Sequence, residues 1–321
     1  MNELYAETLH RVHPPRGLLS SLLVVALLLP SACAPPDPSP QIPPDLPAGF
    51  LPALGATQVR VLSAGPGVAY FELHVPEHPW AIHLLRVELS RCELGFQVLR
   101  GTAQEGVGWG RSRITEMAAM GEEGVLAAVN GDFFTPEGLP LGTQVVAGEV
   151  SRTASRPAFA WRPGEVPWMG LPEAVGDSAL VLGWTLSISS ADGYTEVLGG
   201  FPLLLQGGER VGDLEVTERP AFAAARHPRT ALGYDPEREL LWVVVVDGRQ
   251  PGYSEGMTLP ELTELMEALE VTEALNLDGG GSSVMVLGRD PVSRPSDPEG
   301  ERPVANGLGI KRDMAFCRRP S

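Results

Sequence analysis

The chain has 321 residues, 43% hydrophobic and only 6% aromatic, with a formal net charge of -16. That length suffices for one large domain with a proper core or for two small ones, and so acidic a surface argues against nucleic acid as a partner. Lys311 is the only lysine beside many arginines, so any anion clamp here is built from guanidinium groups.

The N-terminus reads as a targeting segment. Arg11 and Arg16 precede an apolar run from Leu18 to Leu29, followed by the small residues Ser31, Ala32, Cys33 and Ala34. The run is too short to span a bilayer comfortably, so residues 1–32 are expected to be a cleaved secretory signal. PSAC is similar to the lipoprotein signals of bacteria, with Pro30 where Leu is usual. Cys33 is then the expected lipid attachment point, and the protein is expected to be exported to a bacterial cell envelope, periplasm or exterior. From Pro30 to Pro52 nine prolines alternate with polar residues, a stiff spacer. Residues 33–52 are assigned to it, and one domain to residues 53–315. If Cys33 carries lipid, Cys92 and Cys317 remain as an even pair in an oxidising compartment, and a disulfide between them is expected.

Within the domain, Gln58 to Leu62, Ala69 to Val75, Ala81 to Leu89 and Leu94 to Leu99 read as strands separated by Gly and Pro. His74, His78 and His83 lie among them at spacings that match no ligand motif, so surface or strand roles are assigned. Ser112 to Met120 is a short helix with Ser112 as its N-cap and Gly121 as its stop. Val125 to Phe134, VLAAVNGDFF, is a buried strand ending in Asn130, Gly131 and Asp132. It reads equally as a hairpin turn and as an amide and a carboxylate delivered to a pocket walled by Phe133 and Phe134. Leu139 to Val150 forms two short strands around Ala147 and Gly148. Residues 157–205 are β-rich without further signal, and Phe201 to Gly208 is another strand.

His227 to Asp235, HPRTALGYD, presents Arg229 and Thr230. Glu239 to Asp247, ELLWVVVVD, is the strongest strand, buried on both faces, and it ends in Asp247, Gly248 and Arg249. Thr258 and Glu261 form a capping box for a helix with Leu259, Leu262, Leu265, Met266 and Leu269 on its apolar face. Strand, helix and the following run Ala274 to Leu277 make a βαβ-like unit over 240–287, which could place Asp247 and Asp278 on one rim. The class is therefore α+β: β-rich mixed sheets with few helices.

The most informative stretch is ALNLDGGGSSVMVL, Ala274 to Leu287. Asp278 stands before Gly279, Gly280 and Gly281, which can aim successive backbone N–H groups into an anion-binding concavity. Ser282 and Ser283 add hydroxyl donors at its lip. A lone DGGG also reads as a tight hairpin. Asn306 lies in the Pro-rich tail Arg294 to Ile310, a loop of the kind that covers a pocket.

Taken together, VNGDFF, PLGTQVVAGE, FPLLLQGG, RTALGYD, VVDGRQPGYSEGMTLPELTELM, ALNLDGGGSSVMV and ERPVANGLGI resemble the phosphodiester glycosidase domain family. That is the family of the lysosomal enzyme that uncovers mannose 6-phosphate, and it has many secreted bacterial relatives. The resemblance runs from about residue 80 to 311; Asp132 departs from it, standing where many members have a second Gly. It implies a hydrolase that cleaves a carbohydrate phosphodiester, a sugar 1-phosphodiester of a cell-envelope or extracellular glycan. The leaving phosphate is already a stable anion, so the usual pair of carboxylates can reduce to one carboxylate plus an anion clamp. Asp278 is assigned the chemistry at the anomeric carbon or on water. Asp247, Asp132 and Asn130 position the sugar or hold a second charge, with Asn306 nearby. Arg229, Thr230, Arg249, Gly279, Gly280, Gly281, Ser282 and Ser283 hold the phosphate. Two other readings stand beside it. Asp132, Asp247, Asp278 and Asn130 are hard oxygen donors that could hold Ca²⁺ or Mg²⁺ for P–O cleavage, and the same pocket could belong to a lipid-anchored glycan-binding domain.

Overall fold

The computed structural model describes residues 45–317, apart from 57, 107, 121–123, 176–178, 183–185 and 188–192. The expected secretory signal, Cys33 and the first part of the expected spacer lie outside the described residues. The folded part reaches further back than residue 53. Phe50–Leu54 is a short helix, and Leu46, Phe50, Leu51 and Leu54 are buried in the core. The prolines of this stretch hide the apolar residues between them, and those residues are what packs.

Eight strands form the largest sheet, in the spatial order Val59–Gly65, Val68–Val75, Trp80–Glu88, Leu240–Val246, Arg229–Asp235, Glu273–Asn276, Leu203–Gln206 and Glu209–Arg210. Its centre is the continuous apolar strand expected from the sequence. Trp242, Val244 and Val246 point into one core with the Phe50–Leu54 and Leu259–Ala268 helices. Leu241, Val243 and Val245 point into the other core, between this sheet and its neighbours. Period-two alternation therefore buries both faces of a strand that shows no polar stripe.

The Leu259–Ala268 helix begins as its sequence dictates. The Thr258 hydroxyl accepts from Glu261 N at 3.1 Å and the Glu261 carboxylate accepts from Thr258 N at 2.9 Å, and Leu259, Leu262, Leu265 and Met266 are all buried. The helix joins Leu240–Val246 to Glu273–Asn276. These two strands run parallel but do not pair, because Arg229–Asp235 lies between them, antiparallel to both. The βαβ-like unit is thus a crossover with a third strand inserted.

A five-stranded sheet, in the order Asp290–Pro291, Met285–Leu287, Val125–Asn130, Asn306–Arg312 and Leu94–Arg100, packs against the second core. Gln144–Val146, Glu149–Arg152, Ala158–Trp161, Trp168–Gly170 and Glu196–Gly199 form another. Its Glu196 carboxylate accepts from Val98 N at 2.7 Å and from Ala147 N at 2.9 Å, joining the two sheets. Three short strands between residues 173 and 187 make a separate sheet. The helix expected at 112–120 spans Ile114–Met120. Ser112 does not cap it, since its hydroxyl accepts from Thr102 N and donates to Thr102 Oγ1. Cys92 and Cys317 are joined in a disulfide.

Candidate active site

Four chain segments converge on one rim. Val125–Asn130 runs into Gly131 and Asp132, Pro228 leads into Arg229–Asp235, Leu240–Val246 delivers Asp247 to Arg249, and Glu273–Asn276 leads to Asp278 and the glycines. The joints are backbone hydrogen bonds. Asp278 N donates to Gly131 O at 2.9 Å, Leu277 N to Thr230 O at 2.8 Å and Gly280 N to Pro228 O at 2.9 Å. A pairing of strand ends from two sheets thus sets the NGD corner against the DGGG turn.

Two carboxyl groups stand at that joint, near enough for the charge of Asp278 to act on Asp132. Asp132 is 1% exposed; its Oδ2 accepts from Gly142 N at 2.5 Å, and its Oδ1 is buried without a partner. Burial pushes its pKa up to about 6, against the Gly142 bond and the charge of Arg156, with a smaller upward push from Asp278. Asp278 is partly exposed, and its Oδ1 accepts from Gly279 N at 2.9 Å. Burial raises its pKa to about 6 as well, opposed by the Ser282 hydroxyl, the Gly279 amide and the charges of Arg302 and Arg249. Two interacting acids with pKa values near neutrality, one of them reachable from solvent, are suited to moving protons at ordinary pH.

The three glycines serve a purpose other than the one their amides suggested. Gly279 N is engaged by Asp278 and Gly280 N by Pro228, so a nest of three free amides does not form. The glycines make room instead. A Cβ on Gly280, which sits at φ 62°, would come within 2.9 Å of Arg249 Nη2, and a Cβ on Gly281 would collide with Arg302 and Asp297. Two guanidinium groups can lie on this turn only because it has no side chains. Arg249 is exposed, and its nearest polar partner is His227 Nδ1 at 3.3 Å. Arg302 is held by a bidentate pair with Asp297, at 2.7 and 3.0 Å. Ser282 and Ser283 are buried, and their hydroxyls lack hydrogen-bond partners of good geometry, although Ser282 lies near enough to Asp278 to lower its pKa.

Several residues expected to touch substrate are framework. Asn130 donates to Asp278 O at 2.6 Å, and its Oδ1 accepts from Thr230 Oγ1 at 2.7 Å and from Val284 N at 3.1 Å. Asn130 and Thr230 thus both hold the acid-bearing turn. Asn306 does the same for the other acid: its Oδ1 accepts from Asp132 N at 2.8 Å and its Nδ2 donates to Gln144 Oε1 at 2.7 Å. Arg229 is 2% exposed and turned away from a phosphate-clamp position. Its guanidinium donates to the carbonyls of Met257, Phe222 and Ala225, and burial, then Arg249, lowers its pKa to about 10.

Asp247 stands on the expected rim with both oxygens engaged. They accept from Tyr253 OH at 3.0 Å and from Arg294 N at 2.9 and 3.0 Å, and Oδ2 pairs with His83 Nε2 at 3.0 Å. His83 Nδ1 in turn meets Tyr70 OH at 2.8 Å. Among the described residues, the one cluster of three or more His, Cys, Asp or Glu side chains placed to share an ion is Cys92, Glu93 and Cys317, whose ligand atoms lie within 4.8 Å of one another and two of which are in the disulfide. The metal set expected from Asp132, Asp247 and Asp278 is therefore not drawn together.

Arg156, Arg302 and His227 were not singled out from the sequence. Arg156 crosses the wall beside Asp132, its guanidinium 5.7 Å from the Phe133 ring centroid and 5.0 Å from that of Phe201. Arg302 lay inside the quoted ERPVANGLGI. No local signal marks Arg156.

With this geometry in view, comparison with known proteins defines the class. The family model described as phosphodiester glycosidase matches residues 123–311, more than half of the chain, and the chain belongs to that family. Curated relatives include the N-acetylglucosamine-1-phosphodiester alpha-N-acetylglucosaminidases of Bos taurus, 29% identical over 192 residues, and Homo sapiens, 28% identical over 134 residues. These matches cover 54% and 38% of this chain, and 33% and 25% of the relatives, so the chain spans about a third of the bovine protein's length or less of the human one. Among solved structures, the zebrafish catalytic domain of the same name, auto-inhibited by its pro-peptide, superposes with a TM-score of 0.57 at 22% identity, covering 79% of this chain and 87% of that one. A protein from Synechocystis superposes with a TM-score of 0.58 at 17% identity, covering 79% and 63%. These two likenesses show the fold.

Proposed function

We propose that this chain is a hydrolase that cleaves a sugar 1-phosphodiester at the C1–O bond. The observation that carries the reading is the pair Asp132 and Asp278 where the NGD corner meets the DGGG turn, both with pKa values near 6, beside the guanidinium of Arg249, whose one hydrogen-bond partner among the described residues is His227. The family and the names of its curated relatives support N-acetylglucosamine 1-phosphodiesters as the first substrates to try.

In this reading Asp278, the more accessible acid, takes a proton from water as the oxygen bonds to C1. The C1–O bond breaks, and its electron pair leaves with the phosphate monoester. That anion needs no proton near neutral pH, so the second acid is not required as a proton donor. Asp132, buried behind the turn, shapes the field at Asp278. Arg249 from one wall and Arg156 from the other meet the charge that grows on the leaving phosphate, where a preorganised donor contributes about 3 kcal/mol. The same proposal takes residues 1–32 as a secretory signal and Cys33 as a lipid attachment point, so that this chemistry would run at a cell envelope.

Hydrolysis in ¹⁸O-labelled water checks the bond cleaved. Label in the reducing sugar supports C–O cleavage, whereas label in phosphate means attack at phosphorus and overturns the mechanism. A folded Asp278→Asn variant is expected to lose at least about a hundredfold in kcat; unchanged turnover would remove Asp278 from its role.

A further inference from the structure

A second concavity adjoins the crevice on the Asp132 side. Its volume is about 390 Å³, and its lining includes Leu171, Phe201, Pro202, Val211 and Leu214, with Arg156 and Arg219 at the edge. Arg156 and Phe201 form the partition: the Arg156 guanidinium stacks on Phe133, the residue after Asp132, and on Phe201, which lines the cavity. Arg219 stacks on the other flank of Phe201 at 5.3 Å.

Three features point to a ligand. Arg156 Nε is buried without a hydrogen-bond partner, and no carboxylate pairs with this guanidinium among the described residues. Leu171, 55% exposed, carries the apolar lining out to the cavity's edge, within reach of a bound chain. Beyond the arginines the lining is mainly aliphatic and aromatic, with Ser155, Asp213 and Glu215 as its other polar members and Glu215 paired with Arg219, a mix of the kind found in small-molecule sites.

We propose that this cavity is the leaving-group subsite, and that it takes an aliphatic chain esterified to the phosphate. The inference rests on the proposed reaction for its anion. Arg156, which stands against both Phe133 and Phe201, brings a phosphate it holds to the edge of this cavity, and an apolar alcohol on the second ester oxygen gains from burial against Leu171, Val211 and Leu214. The substrate class is thereby narrowed to a sugar phosphodiester whose leaving group is an alkyl or prenyl-type monophosphate, in preference to one whose leaving group is a second sugar.

The test uses the full chain and two product-like probes, methyl phosphate and n-hexyl phosphate, titrated by calorimetry. Hexyl phosphate is expected to bind at least about tenfold more tightly, since each buried methylene strengthens binding. Equal affinities, or no binding of either probe, would overturn the subsite. In Leu171→Asp, which changes an exposed position and leaves the fold intact by circular dichroism, the hexyl-to-methyl ratio is expected to fall to about threefold or less. A ratio that stays at the wild-type value places the chain elsewhere and also overturns the proposal. The failure of the reaction itself is read separately. If hexyl phosphate shows its preference and neither the methyl nor the hexyl diester of N-acetylglucosamine 1-phosphate is hydrolysed, the subsite stands and the reaction assignment falls.

Discussion

Asp132 and Asp278 have folded pKa values above the ordinary 3.8, so between about pH 4 and 6 the native state binds more protons than the unfolded chain. Stability therefore falls as pH rises through that window and stays lower above it. The cost at neutral pH is on the order of 3 kcal/mol for an acid shifted this far. Asp132→Asn is expected to remove it: its thermal midpoint should exceed that of the wild type at pH 7.5, and the gap should close near pH 4. A gap that does not change with pH would mean that Asp132 is not the source. The same carboxyls set the activity profile. kcat/KM is expected to drop below about pH 6 as Asp278 takes up its proton, with the two acids titrating as a pair. Arg302→Gln removes one cation that favours the ionised form, so its acid limb should move to higher pH. Arg249→Gln should cost about a hundredfold in kcat/KM, because this guanidinium faces solvent over Gly280 and has only His227 to hold it.

Elements decide where these side chains stand. The Val125–Asn130 strand ends in an amide that ties together the Asp278 carbonyl, the Thr230 hydroxyl and the Val284 amide. Asn130→Ala leaves all three buried groups unpartnered, and a loss of about 3 kcal/mol in chemical denaturation is expected, together with reduced kcat as the turn loosens. A loss in KM alone would return Asn130 to a sugar-binding role. The glycine turn is constrained by space. In Gly281→Ala the new methyl group meets the Arg302–Asp297 pair, so that pair must shift and the pH profile should resemble that of Arg302→Gln. The 294–302 segment is itself held by Asp247, through Arg294 N, and by Gln250, which donates to Arg294 O at 2.9 Å. Asp247 thus bears on the site through the loop it holds at Arg294 N.

For the whole molecule, one covalent link closes the domain. Cys92 and Cys317 are 225 residues apart, so the bond restricts almost the entire unfolded chain. Replacing both by Ser should lower stability by about 2 to 4 kcal/mol, read from urea midpoints, with the substrate preference unchanged. The cores that this link ties together were largely legible beforehand. ELLWVVVVD announces a strand buried on both sides, and the Leu/Met stripe after Thr258 announces the helix that covers it, because hydrophobic period and capping are local properties of a sequence. The Phe50–Leu54 helix was masked by its prolines, and Ser112 was misread because its partner, Thr102, lies in an upstream loop.

The sequence by itself determined the family, the strand-rich α+β class, and the run of three glycines that follows Asp278. Each is a statement about which residue types stand next to one another along the chain. Only the tertiary structure decided which groups are free to act. It turned Arg229 onto backbone carbonyls, locked Asp247 between His83, Tyr253 and Arg294, and brought Arg156 and Arg302 to the acids in place of the residues expected there. The reason is physical: a side chain's availability depends on the hydrogen bonds and burial it finds across sheets, and those partners are scattered far along the chain.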